Sequence, residues 1–363
     1  MKKNKKILIF GAGAIGRGFL APKFFLKNFS ISFVDINQML VEKLKTRKKY
    51  KAAFTNQNKY KIVEVFIEDI FHLDDKYDVR KYDMVFSCVG PKQCYEIGEK
   101  LKNAKNIISC ENDFKSKFIL TEIANCKKVY FAIPDVITSN TAPKKLKKID
   151  DLITVSENGI LVVEKNKINF SNVATKLNSK NLQMHWNSKL FIHNAPHAIL
   201  AYLGFKKKYK FIHEAMNDKM IKKIVTSAME EISLGLVRSK LVSKKFAKYY
   251  MNKEIERFQN KLLFDPISRV AREPIRKLGS DNRIILSLRL AFLCGKIPIN
   301  NLIGLKAALN FYDRNDSESV YLHNLKKTLT ESEILKKISG IEEKDPISML
   351  LKQINLNNIL KKS

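Results

Sequence analysis

The stretch "SKLFIHNAPHAILAYLG" sets three polar side chains, Lys189, Asn194 and His197, among Leu190, Phe191, Ile192, Ala195 and Leu200. At roughly 100° per residue, an α-helix would point them at about 0°, 140° and 80°, toward one side. Three polar groups in apolar surroundings are not an ordinary solvated face. A lysine there loses part of its preference for the charged form and can serve as a base near neutrality. Oxidation of an alcohol by hydride transfer needs such a base for the hydroxyl proton, and hydrogen-bond donors for the developing alkoxide. His193 and His197 also stand at i, i+4, a spacing that zinc ligands use. No third ligand is evident, and Pro196 disturbs the turn between them, so no metal is expected.

A second chemical stretch, "FGAGAIGRGF", follows one short apolar run. Gly11, Gly13 and Gly16 spell G-x-G-x-x-G, with Ala12, Ala14, Ile15 and Arg17 completing the loop. The first glycine allows a tight turn, the second lets a pyrophosphate approach the backbone, and the third lets helix and strand pack closely. Asp35 ends the next strand-like run, "SFVDIN", 19 residues after Gly16. A carboxylate at that spacing accepts hydrogen bonds from an adenosine ribose. It would also repel a 2′-phosphate, and no arginine stands beside it, so NAD is expected rather than NADP. Val89 and Gly90, closing "YDMVFSCVG", are expected at the same cofactor.

Arginine is scarce and clustered. Of the 67 basic residues 11 are Arg, and six of these (Arg257, Arg269, Arg272, Arg276, Arg283, Arg289) fall within 33 residues. Arginine holds a phosphate through a rigid bidentate fork, whereas lysine is a point charge. Read as one helix, "RVAREPIRK" gathers Arg269, Arg272, Arg276 and Lys277 within about two and a half turns. The plainer alternative is a solvated face paired with Glu273 and nearby acids.

K-x-x-x-x-N-x-x-H followed by "AILAYLG" resembles the catalytic signature of the polyol-specific long-chain dehydrogenases. The resemblance extends to "FGAGAIGRGF", "VDIN", "NIISCEN" and "RVAREPIRKLGSDNR", and so covers most of the chain. It implies a Rossmann-type domain, a mostly α-helical second domain, and metal-independent oxidation by NAD. It makes Lys189 the general base, with Asn194 and Asn112 of "CEN" stabilising the alkoxide and His197 orienting the substrate. Arg269 and Lys277 resemble the pair that grips polyol hydroxyls, and Arg272 and Arg276 look like additions for a phosphate. Asp135 of "IPDVITSNTAP" is similar in register to a "VDRIVP"-like stretch of the family, with Val136 in place of an arginine. Pro196 also departs from the smaller residue expected there, and both departures bear on the substrate pocket. The implied reaction interconverts mannitol 1-phosphate and fructose 6-phosphate. A hexuronate reductase and an unphosphorylated-polyol dehydrogenase of the same family are the nearest alternatives, and a basic nucleic-acid-binding protein on a Rossmann scaffold is the remote one.

The elements that must position these groups fall into two halves. Strand-like runs ("KKILIF", "SISFVDIN", "YKIVEVF", "YDMVFSCVG", "NIISCEN", "KKVYFAIPD") alternate with helical ones up to about residue 183. That alternation predicts an α/β domain over 1–183 with a parallel sheet covered on both faces. "DLITVSEN" and "ILVVEKNKINF" are expected to extend the sheet with mixed pairing. "FLAPKFFLKN" reads as the helix after the glycine loop, with Pro22 awkward inside it. Residues 184–363 read as long helices, ending in "LLKQINLNNILKKS".

With 363 residues and 45% hydrophobic content, the chain can form two ordinary cores. No apolar run reaches the roughly 18 residues that span a bilayer. The basic tip before "ILIFGAGAIG" imitates a secretory leader, but glycines break the run and Arg17 stops it, so a strand and loop are expected. Five scattered cysteines without a C-x-x-C pair point to a reducing cytoplasm. The net charge of +31 comes from 56 lysines spread along the whole chain. A nucleic-acid footprint would form a stripe interleaved with aromatics, so lysine drift is the reading. The expected partner is a small sugar phosphate, with no nucleic acid and no membrane. A monomer is expected, with an oligomer left open.

Overall fold

The computed structural model describes residues 4–56 and 58–361. The leader-like tip at residues 1–3 and the final Lys362 and Ser363 lie outside the described residues. The chain divides into two compact units, Met1–Gln183 with Leu262–Phe264, and Met184–Lys261 with Asp265–Ser363.

The first unit holds twelve strands among its described residues. They are β1 (Lys6–Phe10), β2 (Ser30–Asp35), β3 (Lys49–Thr55), β4 (Tyr60–Phe66), β5 (Asp69–His72), β6 (Met84–Ser87), β7 (Ile107–Ser109), β8 (Val129–Asp135), β9 (Thr138–Ser139), β10 (Thr154–Glu157), β11 (Ile160–Glu164) and β12 (Ala174–Leu177). Eight form one sheet in the order β12-β11-β8-β7-β6-β1-β2-β5. From β8 through β5 every pairing is parallel, and β11 runs antiparallel to β8. Strands covered on both faces read as continuous apolar runs, and "KILIF" is one. Ile7 and Ile9 enter the core cluster that contains Phe19 and Phe33, while Leu8 and Phe10 enter another with Val85 and Ile97. The chain leaves β1 toward β2 on one side and meets β6 on the other. That reversal opens a crevice at the carboxyl ends of β1 and β6, the usual ligand position in such sheets.

One expectation fails here. "DLITVSEN" does not extend the main sheet: β10 lies in a second sheet of order β4-β3-β10-β9, as does β4 of "YKIVEVF". β10 runs parallel to β3, with Val155 opposite Ala53. β11, from "ILVVEKNKINF", joins the main sheet antiparallel as expected.

The second unit is helical. Its longest described helices, Lys219–Arg238 and Lys244–Gln259, each start at a side-chain cap, Asp218 on Met220 and Ile221 and Ser243 on Phe246. Arg283–Phe292 and Ile299–Leu309 follow. The C-terminal stretch forms two short helices, Pro346–Leu351 and Leu356–Lys361. No described helix is long and apolar enough to cross a membrane.

Both segments expected to be plain helices begin with a wider turn. Residues Gly16–Leu20 and Ser188–Asn194 are π-helical, and each is followed by an Ala-Pro pair that opens an ordinary helix. The alanine N–H in each case reaches five residues back, from Ala21 to the carbonyl of Gly16 and from Ala195 to that of Leu190. A proline ring clashes with the carbonyl four residues before it and has no N–H to give; widening the preceding turn accommodates both defects. The Arg17 carbonyl, five residues before Pro22, instead accepts the Tyr50 hydroxyl at 2.8 Å.

Candidate active site

In the first unit the glycine loop sits in the crevice between β1 and β6. Gly11 has φ +94°, and a Cβ there would lie 2.5 Å from the Cys88 carbonyl oxygen. A Cβ on Gly16 would lie 2.0 Å from the Gly11 carbonyl oxygen, so helix and loop touch. Gly13 has nothing within 4 Å of its missing Cβ, which leaves its backbone open to an incoming group. Asp35 accepts from Ala12 N at 2.7 Å and from Asn37 N at 2.8 Å, one bond on each oxygen. Each carboxylate oxygen keeps capacity for a further donor, such as a ribose hydroxyl. A cleft of about 210 Å³ runs beside it, lined by Gly13, Asp35, Ile36, Leu73, Val89 and Ile97. Open backbone at Gly13, a carboxylate at the strand end and an apolar cleft fit a dinucleotide. Ala14 and Ile15 lie at the entry to the π turn. Arg17 turns inward, with Nε 2.5 Å from the Ala12 carbonyl and Nη1 2.5 Å from that of Leu152. Its guanidinium therefore braces the loop from behind.

Sequence reasoning missed the residue that shapes the other wall. Glu111, 3% exposed, accepts from Val89 N at 3.0 Å, Gly90 N at 2.8 Å and the Ser87 hydroxyl. Burial pushes its carboxyl up, and these three donors pull it back. Gly90 has φ +104°, a conformation that favours glycine. Asn112, next to Glu111, is exposed on the loop after β7, and Asp135 is buried at the end of β8. The signal for Glu111 was its place in "CEN", which drew attention only to the asparagine.

In the second unit Lys189, Asn194 and His197 are all buried, at 9%, 6% and 8% exposure. The π turn corrects the angular reading made for an α-helix. An i→i+5 turn brings residues five apart close to the same side, so Lys189 and Asn194 are nearer in direction than the 140° of an α-helix. The turn packs against the helices Lys219–Arg238, Lys244–Gln259 and Arg283–Phe292, which fix its orientation.

Two carboxylates that the sequence left unremarked hold the histidines. His193 Nδ1 meets Glu254 Oε2, and Glu254, fully buried, also pairs with Arg257. His197 Nε2 lies 3.1 Å from Asp265 Oδ2, in ion-pair range though off the line of a good hydrogen bond. The other oxygen of Asp265 takes Arg269 Nε at 3.0 Å and Nη2 at 2.6 Å. Burial alone would push the Asp265 carboxyl up, but Arg269 and His197 outweigh it and hold it at about 2. Burial lowers the His197 imidazole, against the opposing pull of Asp265. Both rings pack on Phe258, that of His197 stacked at 4.9 Å. No cluster of three metal-ligating side chains occurs among the described residues.

"RVAREPIRK" is not one helix. Ile267–Ala271 ends before Arg272, Glu273 turns left-handed at φ +57°, and Pro274 starts Pro274–Leu278. Proline disfavours the helical region for the residue before it, and Glu273 leaves it. Arg269 is thus turned to Asp265, Arg272 is exposed at the corner, Arg276 pairs with Glu273, and Lys277 is buried.

Comparison with known proteins covers both units. Residues 5–157 match the family model of the mannitol dehydrogenase Rossmann domain, and residues 181–361 that of the mannitol dehydrogenase C-terminal domain. The mannitol-1-phosphate 5-dehydrogenase of Thermoanaerobacter pseudethanolicus is 32% identical over 93% of this chain and 94% of its own. The enzyme of that name from Buchnera aphidicola subsp. Acyrthosiphon pisum is 32% identical over 98% of this chain and 99% of its own. At the level of fold, the chain resembles Pseudomonas fluorescens mannitol 2-dehydrogenase in its ternary complex with NAD and D-mannitol. That likeness has TM-score 0.75 and 16% identity, covering 99% of this chain and 94% of that one.

Proposed function

The chain belongs to the mannitol dehydrogenase family, and on that premise we propose that it is an NAD-dependent oxidoreductase interconverting D-mannitol 1-phosphate and D-fructose 6-phosphate. The observation that carries the reading is full-length similarity to mannitol-1-phosphate 5-dehydrogenases, 32% identity over 98% of this chain in one case. The buried Lys189–Asn194–His197 group and the open backbone of the glycine loop support it.

Bound NAD supplies the hydride acceptor, and the rest of the work falls to the chain. Gly11, Gly13 and Gly16 let the loop backbone approach the pyrophosphate, and Asp35 accepts from the adenosine ribose. Val89 and Gly90, held by Glu111, form the opposite wall. In the oxidative direction the neutral amine of Lys189 takes the proton of the reacting hydroxyl while the carbon bearing it loses hydride. Asn194 and Asn112 donate to the oxygen as its charge grows, which is where preorganised donors help most. His197, kept neutral by burial and steered by Asp265, orients the neighbouring hydroxyl. Arg269 and Lys277 serve the sugar hydroxyls, Arg272 and Arg276 the phosphate, and Asp135 the substrate end of the first unit. Reduction of the ketose reverses each step, Lys189 returning the proton. The reading includes a monomer of the cytoplasm, with neither membrane nor nucleic acid as partner.

The test is NADH oxidation with fructose 6-phosphate, fructose and fructuronate side by side. Fructose 6-phosphate should have the highest kcat/KM. Preference for fructuronate would make the enzyme a hexuronate reductase, and preference for fructose an unphosphorylated-polyol dehydrogenase.

A further inference from the structure

The second unit buries two cations that no described carboxylate meets at ion-pair distance, though Glu273 acts on both from further away and Asp316 on Lys277. Lys277 is 4% exposed and Arg283, the first residue of the helix Arg283–Phe292, is 8% exposed. Among the described residues, the Lys277 ammonium makes no hydrogen bond or ion pair. The Arg283 guanidinium reaches only the side-chain oxygen of its neighbour Asn282, at 3.3 Å. The nearby acids are committed elsewhere. Glu273 takes Arg276 Nε at 2.6 Å, and Asp316 accepts from Glu273 N and Ser319 N. Near Arg283 stands Tyr202, 1% exposed, whose hydroxyl has no hydrogen-bond partner among the described residues.

These groups are close enough to act on one another. Burial lowers Lys277 well below the usual lysine range, with Arg283 and then Arg276 adding to it. Burial takes Arg283 down to about 10, again with Arg276 contributing. Burial keeps Tyr202 protonated, so its hydroxyl can donate. Uncompensated cations side by side and an unsatisfied buried hydroxyl each cost stability. All three costs fall if a strong anion with several acceptor oxygens binds among them.

We propose that Arg283, Lys277, Arg276 and the Tyr202 hydroxyl form the subsite for the substrate's phosphoryl group, with Arg283 as its anchor. The proposal rests on the sugar-phosphate reading and corrects its ligand set: Arg283 takes the part that the sequence assigned to the exposed Arg272, and Lys277 moves from the sugar hydroxyls to the phosphoryl group. A phosphate monoester carries roughly −1.5 to −2 at neutral pH and three acceptor oxygens, which suits two uncompensated cations and a hydroxyl. A carboxylate brings one charge and leaves a cation unmatched. The guanidinium fork suits bidentate capture of two phosphoryl oxygens.

The test compares wild type with Arg283→Met, Tyr202→Phe and Arg289→Met, the last on the same helix but exposed and paired with Asp345. The readouts are kcat/KM for fructose 6-phosphate and for fructose, and competitive inhibition by inorganic phosphate. Arg283→Met should lower the ratio of the two kcat/KM values roughly ten- to a hundredfold, the range of a lost charge-assisted bond, and should abolish phosphate inhibition. Tyr202→Phe, which removes one oxygen and leaves the ring, should lower the ratio about three- to tenfold. Arg289→Met should leave it unchanged. If wild type prefers fructose 6-phosphate and both Arg283→Met and Tyr202→Phe keep that preference, the subsite assignment is wrong. If wild type shows no preference for the phosphorylated ketose, the sugar-phosphate reading itself fails.

Discussion

Asp265→Asn removes one charge from a buried chain of three groups and leaves its shape nearly intact. In the native protein Asp265 is 3% exposed, touches His197 on one oxygen and takes both Arg269 bonds on the other. Its carboxyl lies at about 2, against an ordinary value of 3.8. A difference of nearly two units corresponds to about 2 kcal/mol of folding stability at neutral pH. The folded value is depressed, so this stability is fully present above the unfolded value near 4. It is lost as pH falls through the folded value near 2. The assay is urea unfolding of the second unit, followed by fluorescence of Trp186, the single tryptophan. At pH 7 the variant should lose at least about 2 kcal/mol, because Arg269 then faces no carboxylate. The gap between wild type and variant should close between pH 4 and pH 2. Turnover should fall as well, since His197 loses the group that steers it. A variant as stable as wild type at pH 7, or a deficit unchanged at pH 2.5, would refute the coupling.

Other consequences can be measured directly. Asp35→Ala should narrow the preference for NADH over NADPH, by weakening the first and admitting the second; an unmodified protein equally efficient with both would rule out the ribose role. Glu111→Gln places its amide NH2 against the N–H of either Val89 or Gly90, which bond to different oxygens of the carboxylate. NADH binding, read by fluorescence titration, should weaken by roughly tenfold or more, and an unchanged dissociation constant would mean those loop bonds do not matter. Lys277 holds a phosphate best while protonated, and its value is lowered by burial, Arg283 and Arg276, with Glu273 and Asp316 pulling the other way. The lowered lysine binds best below its own free-protein value, so KM for fructose 6-phosphate should rise as pH increases past that point. A KM flat with pH up to 10 would contradict this.

The parts of the fold legible in the sequence were those whose physics is local. A strand buried on both faces needs apolar residues throughout, and "KILIF" and "MVFS" announce themselves. The glycine loop is equally local, because backbone contact between Gly11, Gly16 and Cys88 excludes side chains. Pairing is not local. "DLITVSEN" has the pattern of a strand, but its partner is β3, "KYKAAFT", whose lysines hide a strand between a helix and a turn. The two π turns escaped because helical periodicity assumes a fixed angle per residue; the signal available was an Ala-Pro pair just inside each expected helix. The buried group of Lys189, Asn194 and His197 could be picked out in the sequence, but its supports could not. Glu254 and Asp265 lie 61 and 68 positions from the histidines they meet, and no spacing rule connects them. Arg283 was counted in the arginine cluster, but only burial sets it apart from Arg289.

The central claim is that Lys189 takes the hydroxyl proton as NAD takes the hydride. Its most direct test is fructose 6-phosphate reduction by NADH in Lys189→Ala, with NADH affinity measured on the same preparation. Turnover should fall roughly a hundred- to ten-thousandfold, the usual contribution of a positioned acid or base. NADH should bind as it does to wild type, since the loop and Asp35 are untouched. A Lys189→Ala protein that turns over at the wild-type rate would contradict the account.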